Sequence, residues 1–146
     1  MCADSPCADT PPPVTEAEKQ LLAAARELAL SSASAREHQA GAIAQTSSGE
    51  QFPGVNVHLT LSPPLSVSAE QAAIYAARSG SDAPIDCIAL WIAPRAVHRP
   101  SGLFRQIWVE LAPKAPLLLQ RGDEEPVRIS PGESLPDAFL SFEPNV

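Results

Sequence analysis

The sequence predicts a three-layer α/β domain: a mixed sheet of about five strands with helices on both faces. Three observations carry this. Apolar residues recur at helical spacing in three separate stretches. The largely apolar run Ile85–Ile92, which holds one cysteine, reads as a fully buried central strand. Shorter alternating or apolar segments lie before and after it. A sheet covered by helices on both sides is the economical way to bury such a set.

The elements follow in chain order. Thr15-x-x-Glu18 is a capping box, and Leu21, Leu22, Ala25, Leu28 and Ala29 behind it repeat at helical spacing. That helix is expected to end near Ser31. Ala40–Thr46 reads as a strand, and Ser47-Ser48-Gly49-Glu50 as a hairpin turn. A second strand is predicted over Gly54–Leu61, where Val55, Val57 and Leu59 alternate, and Pro63-Pro64 stops it. Ser68-x-x-Gln71 repeats the capping signature at the start of a helix over Ser68–Ser79, with Gly80 as its C′ residue. A third helix, Ser101–Leu111, presents Leu103, Phe104, Ile107, Trp108 and Leu111. Leu117–Gln120 and Pro126–Ile129 flank a Gly122-Asp123 turn, and Gly132–Phe139 is expected as a final short helix.

Length and charge set the outer bounds. The chain has 146 residues, which suits one domain over 14–146 behind a disordered N-terminal tail, 1–13. The net charge of −7 and the lack of a basic stripe argue against nucleic acid or an anionic membrane as partner. No apolar stretch approaches the 18 or so residues of a membrane span, and the proline-rich N-terminus has no signal-like apolar core. A cytoplasmic protein is expected. Cys2, Cys7 and Cys87 are an odd set with two in the tail, which argues against a disulfide framework. The Cys2-x4-Cys7 spacing leaves a soft-metal site open, and Cys87, Trp91 and Trp108 read most simply as core.

Five local sequences, in order, resemble the small cytidine deaminases, a family that includes blasticidin-S deaminases. Ala40-Gly41-Ala42 looks like the family's V-G-A-A strand, and Gly54-Val55-Asn56-Val57 like its G-x-N-x-E-N segment. Ser68-Ala69-Glu70 sits where the family has C-A-E or H-A-E. Pro100-Ser101-Gly102-Leu103-Phe104-Arg105-Gln106 sits where it has P-C-G-x-C-R-Q. Leu135-Pro136-Asp137-Ala138-Phe139 resembles its L-L-P-x-x-F ending. The resemblance runs from about Val14 to Phe139 and implies the cytidine-deaminase fold.

It also implies a catalytic zinc, and there the sequence departs. The family's three zinc ligands correspond to Ser68, Ser101 and Phe104. A neutral hydroxyl is a poor zinc ligand and a phenyl ring is none. No metal or other cofactor is therefore expected. On the substrate side, Asn56 matches the family's ribose-binding asparagine. His58 replaces the glutamate that follows, and Leu59 replaces the next asparagine. His38 falls where a phenylalanine often packs near the base. These changes argue against ordinary cytidine binding.

Glu70 is retained, and the resemblance makes it the proton shuttle of the deamination. The same residue also fits as a plain dipole partner in the first turn of a helix. Ser68 and Ser101 fit as N-caps, and with the metal gone the two helix N-termini also form a potential anion site. A rebuilt metal site from His98, Glu70 and Cys87 is a further alternative. The leading expectation is a zinc-free enzyme acting on a small polar or nucleoside-like molecule. Its reaction would be an isomerisation, cyclisation, elimination or hydrolysis. Glu70 would be catalytic, and Asn56, His38, His58, Ser68, Ser101 and Phe104 would line the substrate site. The alternative is a non-catalytic ligand-binding or partner subunit, and an active cytidine deaminase ranks behind both. Tetramers, and sometimes dimers, are common in the family. A homo-oligomer is expected here, with Trp108 or Phe142 covering apolar surface.

Overall fold

A computed structural model describes residues 11–32, 39–94 and 100–138. Helix α1 (Glu16–Ser31) starts from the capping box foreseen at Thr15: the threonine hydroxyl accepts from the Glu18 amide while the Glu18 carboxylate accepts from the Thr15 amide. Strands β1 (Ala40–Thr46) and β2 (Gln51–Val55) form a hairpin whose turn is closed by Gly49 at φ 86. A short 3-10 turn (Pro63–Leu65) leads to α2 (Ala69–Gly80), then β3 (Ile85–Ile92) and α3 (Gly102–Leu111). Strands β4 (Leu117–Arg121) and β5 (Val127–Ile129) and a single turn of helix, α4 (Pro131–Ser134), complete the described chain.

The sheet order is β2-β1-β3-β4-β5. The β3–β4 pair is parallel and the other three pairs are antiparallel. Alternation along the central strands sends side chains to two separate cores. Ile88, Leu90 and Ile92 of β3 join Ala42 and Ala44 of β1 under α2 and α3. Cys87, Ala89 and Trp91 join Ile43 under α1. Two glycines let the helices approach the sheet. A Cβ on Gly41 would meet the backbone of α1 at the Ala25 carbonyl, and one on Gly54 would meet the backbone of α2 at the Ala69 carbonyl and the Ala73 amide. The three-layer arrangement follows: α1 on one face, α2 and α3 on the other.

Three sequence expectations shift. The second strand is Gln51–Val55 rather than Gly54–Leu61. Among the described residues its partner is β1, which begins at Ala40, and the register pairs Gly41 with Val55, where the ladder ends. Val57 instead makes an isolated bridge with Val67. Gly80 is the last residue of α2 rather than C′, and it lies against the Phe52 ring, where a Cβ would collide. The last helix is Pro131–Ser134 and starts one residue before the expected Gly132. The chain then turns through Asp137 at φ 54.

The N-terminal part of the described chain is tied down. Arg128 of β5 donates to the Pro12 carbonyl at 3.2 Å and pairs with Glu18 at 2.6 Å. No helix among the described residues is long and apolar enough to cross a membrane. His38, His98, Phe139, Phe142, Cys2 and Cys7 lie outside the described residues.

Candidate functional site

Helices α2 and α3 share one core on the same face of the sheet, and each begins from a serine. The Ser68 hydroxyl accepts from the Gln71 amide at 3.4 Å, and the Ser101 hydroxyl accepts from the Phe104 amide at 3.1 Å. Both are N-caps, each satisfying one of the amides that a helix start leaves without a partner. At Ser68 the reciprocal half of the expected capping box is replaced: the Gln71 side chain reaches instead to the Tyr75 hydroxyl at 3.3 Å.

Glu70 lies in the first turn of α2 and is wholly buried. The neighbouring residues Ala69 and Ala73 belong to the same core as Phe104 and Trp108. Phe104 is itself wholly buried, with its ring stacked on Trp108 at 5.8 Å between centroids and 22° between planes. Trp108 anchors that stack by donating its indole N–H to the Ala115 carbonyl at 2.8 Å. Asn56, just past the end of β2, is half-buried, and its side-chain oxygen accepts from the Ala40 amide at 3.2 Å. Asn56 thus ties the chain just past β2 to the start of β1, at the open end of the hairpin. His58 is exposed.

Two expectations are corrected. The rebuilt metal site cannot form from Glu70 and Cys87, because they lie on opposite faces of the sheet: Cys87 packs under α1, and α2 packs on the other side. Burial first, and the Glu18 charge second, push the Cys87 thiol up to about 12, which makes it an inert core residue. Trp108 has no exposed surface and so offers none for a subunit contact.

The positions that hold zinc in the resembled deaminases do not suit a metal here. The Ser68 and Ser101 hydroxyls are engaged by their own helices, and Phe104 is an apolar ring packed in the core. Among the described residues, no cluster of three or more His, Cys, Asp or Glu could hold a metal ion. The donor set lacks every thiolate and imidazole that zinc prefers.

One charged side chain within the matched motifs has a structural role that the motif reading missed. Arg105, passed over within the Pro100–Gln106 match, donates from Nε to the Pro100 carbonyl at 2.9 Å and from Nη1 to the Ser134 carbonyl at 3.3 Å. It braces the start of α3 against α4. Its retention beside two lost ligand positions was the available clue.

These features define a three-layer α/β protein in which two capped helices lie on one face of a mixed sheet and one of them carries a buried acid in its first turn. That is the fold of the cytidine deaminases, with the residues at the zinc-ligand positions replaced. The cytidine deaminase of Burkholderia pseudomallei superposes with a TM-score of 0.72 and 28% identity, over 83% of this chain and 98% of that one. The cytidine deaminase of Mycobacterium tuberculosis gives 0.64 and 28%, over 83% and 95%. That of Bacillus anthracis gives 0.67 at 12% identity, over 84% and 89%, a likeness of fold alone. No protein-family model and no curated protein sequence matches the chain.

Proposed function

We propose that this chain is a zinc-free protein of the cytidine-deaminase fold that performs acid–base chemistry on a small polar or nucleoside-like molecule, with Glu70 moving the proton. The burial of Glu70 supports this reading. An acid in the first turn of a helix stabilises the macrodipole from the surface, by about 0.3–1 kcal/mol. Glu16 and Glu133 occupy first turns in just that way and are exposed. Glu70 has no exposed surface. Taking a carboxyl group out of water costs free energy that the dipole role does not require. A shielded acid at the start of a helix is what proton transfer in a closed site calls for. In this reading Asn56 and the Ser68 and Ser101 hydroxyls orient the substrate, while Phe104 fills volume beside them.

A second reading, a non-catalytic ligand-binding or partner subunit, is favoured by the commitment of Ser68, Ser101 and Phe104 to capping and core packing. A turnover assay of the full-length protein on a panel of nucleosides and related small polar molecules separates the two, run beside Glu70→Gln. The first reading expects Glu70→Gln to remove most of the activity, about 10²–10⁴-fold, with thermal stability nearly unchanged. Wild-type protein that binds members of the panel without turning any over establishes the second.

We also propose that the protein works as a homo-oligomer. Leu61, Leu65 and Leu103 are 98%, 68% and 64% exposed, and a second copy covering them would take that apolar surface out of water. Light scattering at tens of micromolar is expected to give a mass above that of one chain, and a monomer there overturns the proposal.

A further inference from the structure

A cavity that Glu70 does not line opens beside the carboxyl end of β4, which runs parallel to β3, between α3, β5 and α4. Its volume is about 240 Å³. Arg121, the last residue of β4, pairs in register with Ile92, the last residue of β3. Arg105 enters from the first turn of α3 and Glu133 from α4, while Pro100, Leu119 and Ile129 supply the apolar wall. In α/β sheets, ligands gather at the carboxyl ends of parallel strands.

The charges in this cavity run against the rest of the molecule. The chain carries 17 acidic residues against 10 Lys and Arg, yet two guanidinium groups face one carboxylate here. That carboxylate is occupied: Glu133 accepts from the Ser130 hydroxyl at 2.7 Å and the Ser130 amide at 2.8 Å, and these bonds hold its carboxyl below the usual carboxylate range. Among the described residues, the two bonds that Arg105 makes go to neutral carbonyls, which do not compensate its charge and engage two of its five N–H donors. Arg121 forms no ion pair with any other described residue. Both arginines are half-buried, where a charge-assisted bond is stronger than at an open surface.

We infer that this cavity binds a small oxyanion, a phosphate or carboxylate group, through Arg105 and Arg121. Paired guanidinium forks match the planar or tetrahedral oxygens of such groups. The volume lies below that of a typical whole-ligand pocket and suits the anionic group of a small molecule. The inference does not depend on the role of Glu70.

Calorimetric titration of the full-length protein with inorganic phosphate, and separately with succinate, tests it at constant ionic strength. Saturable binding of either probe is expected; the tighter of the two identifies phosphate or carboxylate as the chemistry. Arg121→Gln is expected to weaken that binding on the order of tenfold, the loss of one charge-assisted contact. Glu133→Gln keeps the capping box, which tolerates Gln, and removes the one carboxylate that the described residues give the cavity wall. It is expected to tighten binding a few-fold. A merely structural disturbance moves both variants in the same direction. No saturable binding of either probe, equal binding by wild type and Arg121→Gln, or weakening in both variants overturns the inference.

Discussion

The starts of α1 and α2 carry nearly the same sequence signature and end in different places. Each has a hydroxyl N-cap, Thr15 or Ser68, and an acid in the first turn. At α1 the acid is consumed locally. Glu18 closes the capping box and pairs with Arg128, both of its oxygens lying within 2.7 Å of Nη2. Burial pushes its carboxyl up, but the Thr15 amide and Arg128 together hold it below its ordinary value. At α2 the acid is one position closer to the cap and turns inward, where it is wholly buried. A capping motif therefore fixes where a helix begins, but the packed face decides whether its acid meets solvent or the interior.

The sharpest way to break the comparison is to neutralise both acids. Glu70→Gln is expected to lower turnover about 10²–10⁴-fold, and Glu18→Gln to leave it within a few-fold of wild type. Equal loss in both variants would mean that Glu70 acts only through the fold.

Moving the two helices gives the next largest effect. Gly41→Ala would press on α1 at Ala25, and Gly54→Ala on α2 at Ala69 and Ala73. In each case the obstacle is helix backbone, which yields little. Both variants are expected to lose about 1–3 kcal/mol of stability, as over-packing usually costs, measured by urea denaturation. Only Gly54→Ala should also impair activity, because it displaces the turn that carries Glu70. Unimpaired activity in Gly54→Ala separates the site from the start of α2.

The smallest effect is in pH dependence. The folded-state value of Glu18 lies below its ordinary value of 4.5. Its contribution to stability is thus fully present above that ordinary value, and it is lost as pH falls through the lowered folded value. Glu18 keeps 17% and Arg128 keeps 16% of side-chain exposure, so solvent screens the pair in part and its worth is at most about 1 kcal/mol. Stability measured against pH is expected to fall less steeply in acid for Glu18→Gln than for wild type. Parallel curves would show that the pair contributes nothing.

Much of the fold was legible because its signals are local. The α1 capping box, the hairpin turn at Gly49 and the span of β3 depend on residues within a turn or a strand of one another. The extent of β2 was not, because the Val55–Val57–Leu59 alternation continues after the pairing has run out at the start of β1. The end of α2 was misplaced by one residue, since Gly80 serves contact with Phe52 rather than a reversal of the backbone. At the candidate site, the loss of zinc-binding residue types could be read directly from Ser68, Ser101 and Phe104. The cavity at Arg105 and Arg121 could not, as sixteen positions of chain and a strand crossover separate them.

By itself the sequence determined the order of helices and strands, the capping residues and the chemistry missing at three positions. These depend on side-chain type and on periodicity, which the chain carries wherever it folds. Only the tertiary structure decided which face of the sheet each residue joins. It put Cys87 under α1 and α2 with Glu70 across the sheet, drew Trp108 out of any surface role, and gathered two arginines into one cavity. The physical reason is strand alternation: neighbouring residues of a strand point to opposite layers. Which groups meet is then set by pairing register and helix packing, through contacts between segments far apart in the chain.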